Sequence, residues 1–100
     1  MHRVTIHYAT PTDPDSFEQR YRDEHVPLVH RLPGLRRFTL SHPRPMQGDA
    51  PYLVAELWFD DADAVKTALK SPEMGETGTH AAGLGADMVV FSGEVEEIGG

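Results

Sequence analysis

His25 is the residue best placed to do chemistry, because it sits within an apolar stripe rather than on a polar surface. Phe17, Tyr21, His25, Leu28 and Leu32 recur at spacings of four, four, three and four, which is one face of a 3.6-residue helix. An imidazole on that face points toward the core. With an unperturbed pKa of about 6.5 it can take or give a proton near neutrality. A positioned general base contributes typically about 10²- to 10⁴-fold in rate, enough to move protons in an already acidic substrate. The competing reading is a hydrogen-bonded core histidine. Tyr8 and Tyr21, the latter one helical turn before His25, carry hydroxyls that can hold a carbonyl or enolate oxygen, or serve as plain core. His25 and Tyr8 are therefore the candidate catalytic residues. Ile6, Tyr21, Leu28, Phe38 and Trp58 are the candidate walls of a small apolar pocket.

Other chemistries find less support. The chain has no cysteine, which excludes disulfides, thiolate metal sites and cysteine nucleophiles. No G-x-S-x-G is present. Six histidines invite a metal, yet His25 and His30 lie about 140° apart around a helix, and His2 and His7 face opposite sides of a strand. No metal site is predicted; only His7, His25, His42 or His80 brought together in space would make one. Gly75, Gly78, Gly83 and Gly85 match no phosphate-loop pattern and read as a flexible connection. Arg20, Arg22, Arg31, Arg36 and Arg37 crowd one stretch, which reads as a solvated helix face and strand edge.

The elements that must position His25 follow from periodicity and punctuation. Residues 3–9 alternate as a strand, with Val4, Ile6 and Tyr8 on one side. Asp13 or Asp15 caps a helix running to about His30, with Pro14 suited to its first turn. Pro27 removes a backbone hydrogen bond, so a bend or new segment is expected just after His25. Leu32-Pro33-Gly34 ends that element. Residues 35–42 and 52–59 read as strands, the second bulky on both sides. Asp60-Asp61 caps a helix to about Ser71 with Val65, Ala68 and Leu69 inward, and Pro72 stops or offsets it. The glycines weaken any helix over 73–85, and Met88 to Val95 is a last strand.

The resulting order, βαββαβ, is the split-βαβ arrangement of ferredoxin-like α+β domains: two helices on one face of a four-stranded antiparallel sheet. The other face also needs cover, and a homodimer joined through its sheet faces is the economical solution. One hundred residues with no repeat or linker argue for one domain, 1–100. A net charge of −7 speaks against nucleic-acid binding. No apolar run approaches the roughly 20 residues that span a bilayer, and the opening residues lack a leader's apolar region, so a cytoplasmic protein with no membrane partner is expected.

Several of these stretches together resemble the EthD-like family of the dimeric α+β barrel superfamily. They are an opening strand and Pro11-x-x-Pro14 turn, Phe17-xxx-Tyr21-xxx-His25-Val-Pro27-Leu28, and Leu32-Pro33-Gly34-Leu35. Pro51-Tyr52 and Glu56-Leu-Trp58-Phe59 leading into Asp-Asp-Ala-Asp-Ala complete the likeness. The resemblance implies a ferredoxin-like fold dimerising through its sheets and a small apolar pocket in each subunit, with His25 as the matching histidine. It implies a role in degrading or making small hydrophobic or aromatic oxygenated compounds, in a family commonly labelled reductase and hence oxidoreductase. More distant similarity extends to lactone isomerases, polyketide cyclases and quinone-forming monooxygenases. Isomerase or cyclase chemistry using His25, and a non-catalytic ligand-binding dimer, are the alternatives. No motif binds NAD, flavin or haem, so no cofactor is expected.

Overall fold

Strand alternation builds the platform. In the computed structural model, which describes residues 1–99, β1 (His2–Tyr8) turns Val4, Ile6 and Tyr8 to one face. β3 (Leu53–Phe59) buries Leu53, Ala55, Leu57 and Phe59 on that same face, with half-buried Val54, Glu56 and Trp58 between them. β2 (Arg37–Ser41) and β4 (Met88–Glu94) complete one sheet in the order β2-β3-β1-β4, and every pairing is antiparallel. The central β1 pairs Ile6 with Ala55 on one side and with Val90 on the other, so like-facing residues line up across the sheet. This is the ferredoxin-like α+β fold anticipated from the element order.

The first helical stretch is three segments. α1 (Pro14–Arg20) starts at Asp13, whose carboxylate accepts from the Ser16 amide at 3.2 Å, with Pro14 in the first turn. A π turn (Tyr21–His25) follows, then α2 (Val26–His30), with Pro27 in its first turn. The expected break beside His25 is thus a widened turn. Its effect on the buried face is specific: Phe17, Tyr21, His25 and Val29 are buried at successive spacings of four, where an unbroken α-helix would drift by about 40° per step. The extra residue in the π turn cancels that drift. Val29 therefore takes the inward position that α-helical counting assigns to Leu28, which stays half-buried.

α3 (Ala62–Leu69) is capped by Asp61, which accepts from the Ala64 amide at 2.8 Å. Val65 and Ala68 are buried as expected, but Leu69 is 54% exposed because it lies at the helix end. The stretch 73–85 departs from the expected flexible connection. Pro72 starts rather than stops a helix, α4 (Pro72–Ala82), and Ser71 caps it by accepting from the Met74 amide at 3.2 Å. Cap chemistry and the packing of Thr77 and Ala81 outweigh the propensity cost of Gly75 and Gly78. Tyr8, Phe17 and Tyr21 form the densest part of the core, with ring centroids 5.4–5.6 Å apart. Among the described residues, no helix is long and apolar enough to cross a membrane.

Candidate functional site

Between the sheet and the helical layer lies a cavity of about 140 Å³. Val4, Ile6, Tyr8 and Leu57 form its floor, Tyr21, His25, Val29 and Leu32 one wall, and Met74, Thr77, Gly78 and Ala81 of α4 the other. Leu69, Met88 and Val90, all substantially exposed, frame the mouth. His25 and Tyr8, the two candidate catalytic residues, both line it, as do Ile6 and Tyr21.

Three of the expected wall residues lie elsewhere. Leu28 is turned away by the π turn, which hands its place to Val29. Phe38, on the outlying strand β2, borders a separate hollow with Arg22, Val26, His30 and Leu40. Trp58 is on the opposite face of the sheet, its ring flanked by the guanidiniums of Arg3 and Arg37 at 5.5 Å each. The two-sided bulk of β3 hid which of its faces the helices cover.

His25 is 3% exposed, and burial, followed by the neighbouring His80, pushes its pKa down to about 4. At neutral pH it is an uncharged imidazole. Its Nδ1 lies 3.0 Å from Nδ1 of His80 on α4, whose Nε2 in turn lies 2.9 Å from Oε1 of Glu24. Glu24 is one residue before His25, on the outer side of the π turn, with Arg20 Nε at 3.6 Å. The His80 hydrogen bond, with help from Arg20, holds the Glu24 carboxyl below the usual carboxylate range. Arg20 also donates to the Gly83 carbonyl at 2.8 Å, fastening the end of α4 to α1.

The tyrosines behave differently. Burial raises both phenols, Tyr8 to about 12 and Tyr21 further, so both remain protonated. Each also acts on the other: Tyr21 eases the shift at Tyr8, and Tyr8 adds to that at Tyr21.

Glu24 is not among the site residues the sequence suggests, and His80 is suggested only as one of four histidines that could meet around a metal. The signal that could have found them is Ser71-Pro72-Glu73, a cap, a first-turn proline and a first-turn acid, which starts a helix placing Thr77 and Ala81 inward beside His80. Of the histidines that might have met in space, only His25 and His80 do so. His7 packs edge-on against Phe91 on the other sheet face, and His42 pairs with Glu18. Among the described residues, no group of three or more His, Cys, Asp or Glu side chains is arranged to hold a metal ion. Arg31 and Arg36 are spoken for by Glu76 and Asp60, so the arginine-rich stretch does not converge on one anion.

A ferredoxin-like sheet with one helical layer, and a histidine-walled cavity between them, defines a class of small α+β proteins. Within it the chain belongs to the EthD family: the sequence profile of the EthD domain matches residues 9–94. It is 39% identical over 75 residues, 73% of each chain, to an uncharacterised 11.0 kDa protein from the thcB-thcC intergenic region of Rhodococcus erythropolis. The crystal structure of an ethyl tert-butyl ether D (EthD) family protein from Bacillus halodurans matches with a TM-score of 0.86 and 26% identity, over 96% of this chain and 99% of that one. At lower identity the fold recurs in SnoaB, a cofactor-independent oxygenase from Streptomyces nogalater (TM-score 0.73, 21% identity, 97% and 94% covered). It recurs again in a dimeric ferredoxin-like protein from Thermobifida fusca (TM-score 0.72, 16% identity, 94% and 90% covered).

Proposed function

We propose that this protein binds a small, largely apolar, oxygen-bearing compound in the cavity under α4 and transfers a proton to or from it through His25, with Tyr8 as hydrogen-bond donor. The observation that carries the reading is the buried, uncharged imidazole of His25 in the wall of an otherwise apolar cavity of about 140 Å³. An apolar cavity of roughly that size accommodates a ligand the size of benzene. One ring with a carbonyl or hydroxyl is the natural occupant. Proton transfer asks for nothing beyond side chains already in the wall, and the description of SnoaB as cofactor-independent is in keeping with it. A reductase or other oxidoreductase role, as the family resemblance suggests, would require an electron donor in addition.

The test is a panel of small aryl ketones, phenols and lactones, scored for binding by NMR and for product formation. His25→Gln is expected to keep the fold and ligand uptake while losing turnover by about 10²-fold or more. Binding by both proteins with turnover by neither assigns the chain to ligand carriage instead.

The reading includes a homodimer, with residues 1–99 of each copy acting as one unit. Its interface is the uncovered sheet face, where Val89 and Phe91 are exposed and where Thr5 Oγ1 and Trp58 Nε1 are buried without a hydrogen-bond partner. Analytical ultracentrifugation tests this, a monomer at micromolar concentration being the contrary result.

A further inference from the structure

Building on the His25 reading, we propose that Glu24 and His80 form a relay that fixes the tautomer of His25 and draws the abstracted proton out of the cavity. An ionised Glu24 can only accept, so the His80 Nε2 facing it at 2.9 Å must carry the hydrogen. A neutral His80 then has a bare Nδ1. The His25 Nδ1 facing that atom at 3.0 Å must be the donor. His25 is left with an unprotonated Nε2, and among the described residues no side chain or carbonyl hydrogen-bonds to it. The lone pair available to the cavity is thus set by a carboxylate two imidazoles away.

Tyr8, on the cavity floor, supplies the complement. Burial raises its phenol to about 12, so the hydroxyl stays protonated and can donate to a ligand. The cavity thus offers an acceptor, His25 Nε2, and a donor, Tyr8 O–H. That pairing suits a ligand with an acidic C–H or O–H next to a carbonyl oxygen: an enolisable ketone, a lactone or an acyl phenol.

The relay also removes a difficulty. A deeply buried imidazole is a poor final holder of a proton, because its cation is desolvated. In the proposed step the substrate C–H bond breaks and its electron pair stays on the substrate as an enolate held by Tyr8. An N–H bond forms at His25 Nε2 as the His25 Nδ1–H bond breaks, and a new N–H bond forms at His80 Nδ1. The resulting His80 cation lies against Glu24 rather than in the cavity, and the reverse steps return the proton. The titratable and charged groups around this chain are Glu24, Arg20 and Tyr21 from the first helical stretch, His80 from α4 and Tyr8 from β1. His80 and Glu24 do not line the cavity and act as positioning residues.

Histidine side-chain nitrogen NMR on the ligand-free protein at neutral pH tests the relay without any substrate. The expected result is hydrogen on Nδ1 of His25 and on Nε2 of His80; hydrogen on Nε2 of His25 overturns it. Glu24 is exposed, so Glu24→Gln keeps the fold, and its amide can donate as well as accept. The variant is expected to give a mixture of His25 tautomers, whereas an unchanged single tautomer contradicts the relay. Acetophenone in heavy water is the functional probe. Deuterium entry into its methyl group should be slowed about 10-fold or more by Glu24→Gln and by His80→Leu, with acetophenone affinity held. A correct tautomer with no exchange of acetophenone leaves the relay standing and refutes enolisation as the reaction. Exchange with the wrong tautomer keeps His25 as base and refutes the relay.

Discussion

The two faces of the sheet come from the same four strands, residue by residue in alternation, yet they differ in kind. Toward the helices, Val4, Tyr8, Leu53, Ala55, Leu57 and Phe59 are buried, and the cavity opens beside a histidine with an ordered hydrogen-bond chain behind it. Away from the helices, Arg3 pairs with Glu56 at 3.2 Å, Trp58 lies between two arginines, and two buried polar atoms lack partners. The first face is complete within one chain. The second leaves Val89 and Phe91 exposed, and chemistry is proposed for the one and self-association for the other.

The largest effect expected from breaking this contrast is in the core beside the cavity. Phe17→Ala should cost about 3–5 kcal/mol in chemical denaturation, because Phe17 is 1% exposed and packs on both Tyr8 and Tyr21. Thr39→Ala, on the open face, should stay within about 0.5 kcal/mol. Equal costs at the two positions would dissolve the distinction.

Next comes the proton linkage of His25. Its folded-state pKa lies near 4, below the ordinary 6.5, so between these values the unfolded chain binds a proton that the folded chain refuses. Stability is therefore whole above about pH 6.5 and falls as the pH drops toward 4, by roughly 2 kcal/mol once solvent screening is allowed for. His25→Gln should flatten that part of the stability profile relative to the parent chain. An unaltered slope would place the imidazole in water rather than in the wall.

On the other face, Phe91→Asp should weaken self-association at least about 10-fold in sedimentation while leaving the circular dichroism of the fold unchanged. A dimer indifferent to the substitution would move the interface elsewhere. The smallest effect is local to α4: a Cβ added at Gly75 meets nothing within 4 Å, so Gly75→Ala should stabilise the protein by about 0.5–1 kcal/mol. A loss of stability there would mean that the glycine serves a conformation other than the helix.

Much of this contrast is legible in the residues. Alternation in β1 and the caps at Asp13 and Asp61 specify the elements, and the stripe through Phe17, Tyr21 and His25 places the imidazole inside. Two kinds of information are not local. The π turn changes the count after His25, so that Val29 rather than Leu28 faces the cavity, and no spacing rule for an unbroken α-helix reveals it. Burial on both sides of β3 likewise concealed that Trp58 belongs to the open face. His80 was hidden by glycines whose low helix propensity is overcome by a Ser-Pro cap and by packing against the sheet. Half of the site depends on residues 72–82 being a helix.

Ligand placement is tested most directly by an NMR titration of the protein with acetophenone and related small aryl ketones and lactones, following His25, Tyr8 and Trp58 together. The account predicts saturable shifts at His25 and Tyr8, with Trp58 unmoved on the far side of the sheet. Saturable shifts at Trp58 with His25 and Tyr8 silent would contradict it, placing ligand on the open face and leaving His25 a structural residue.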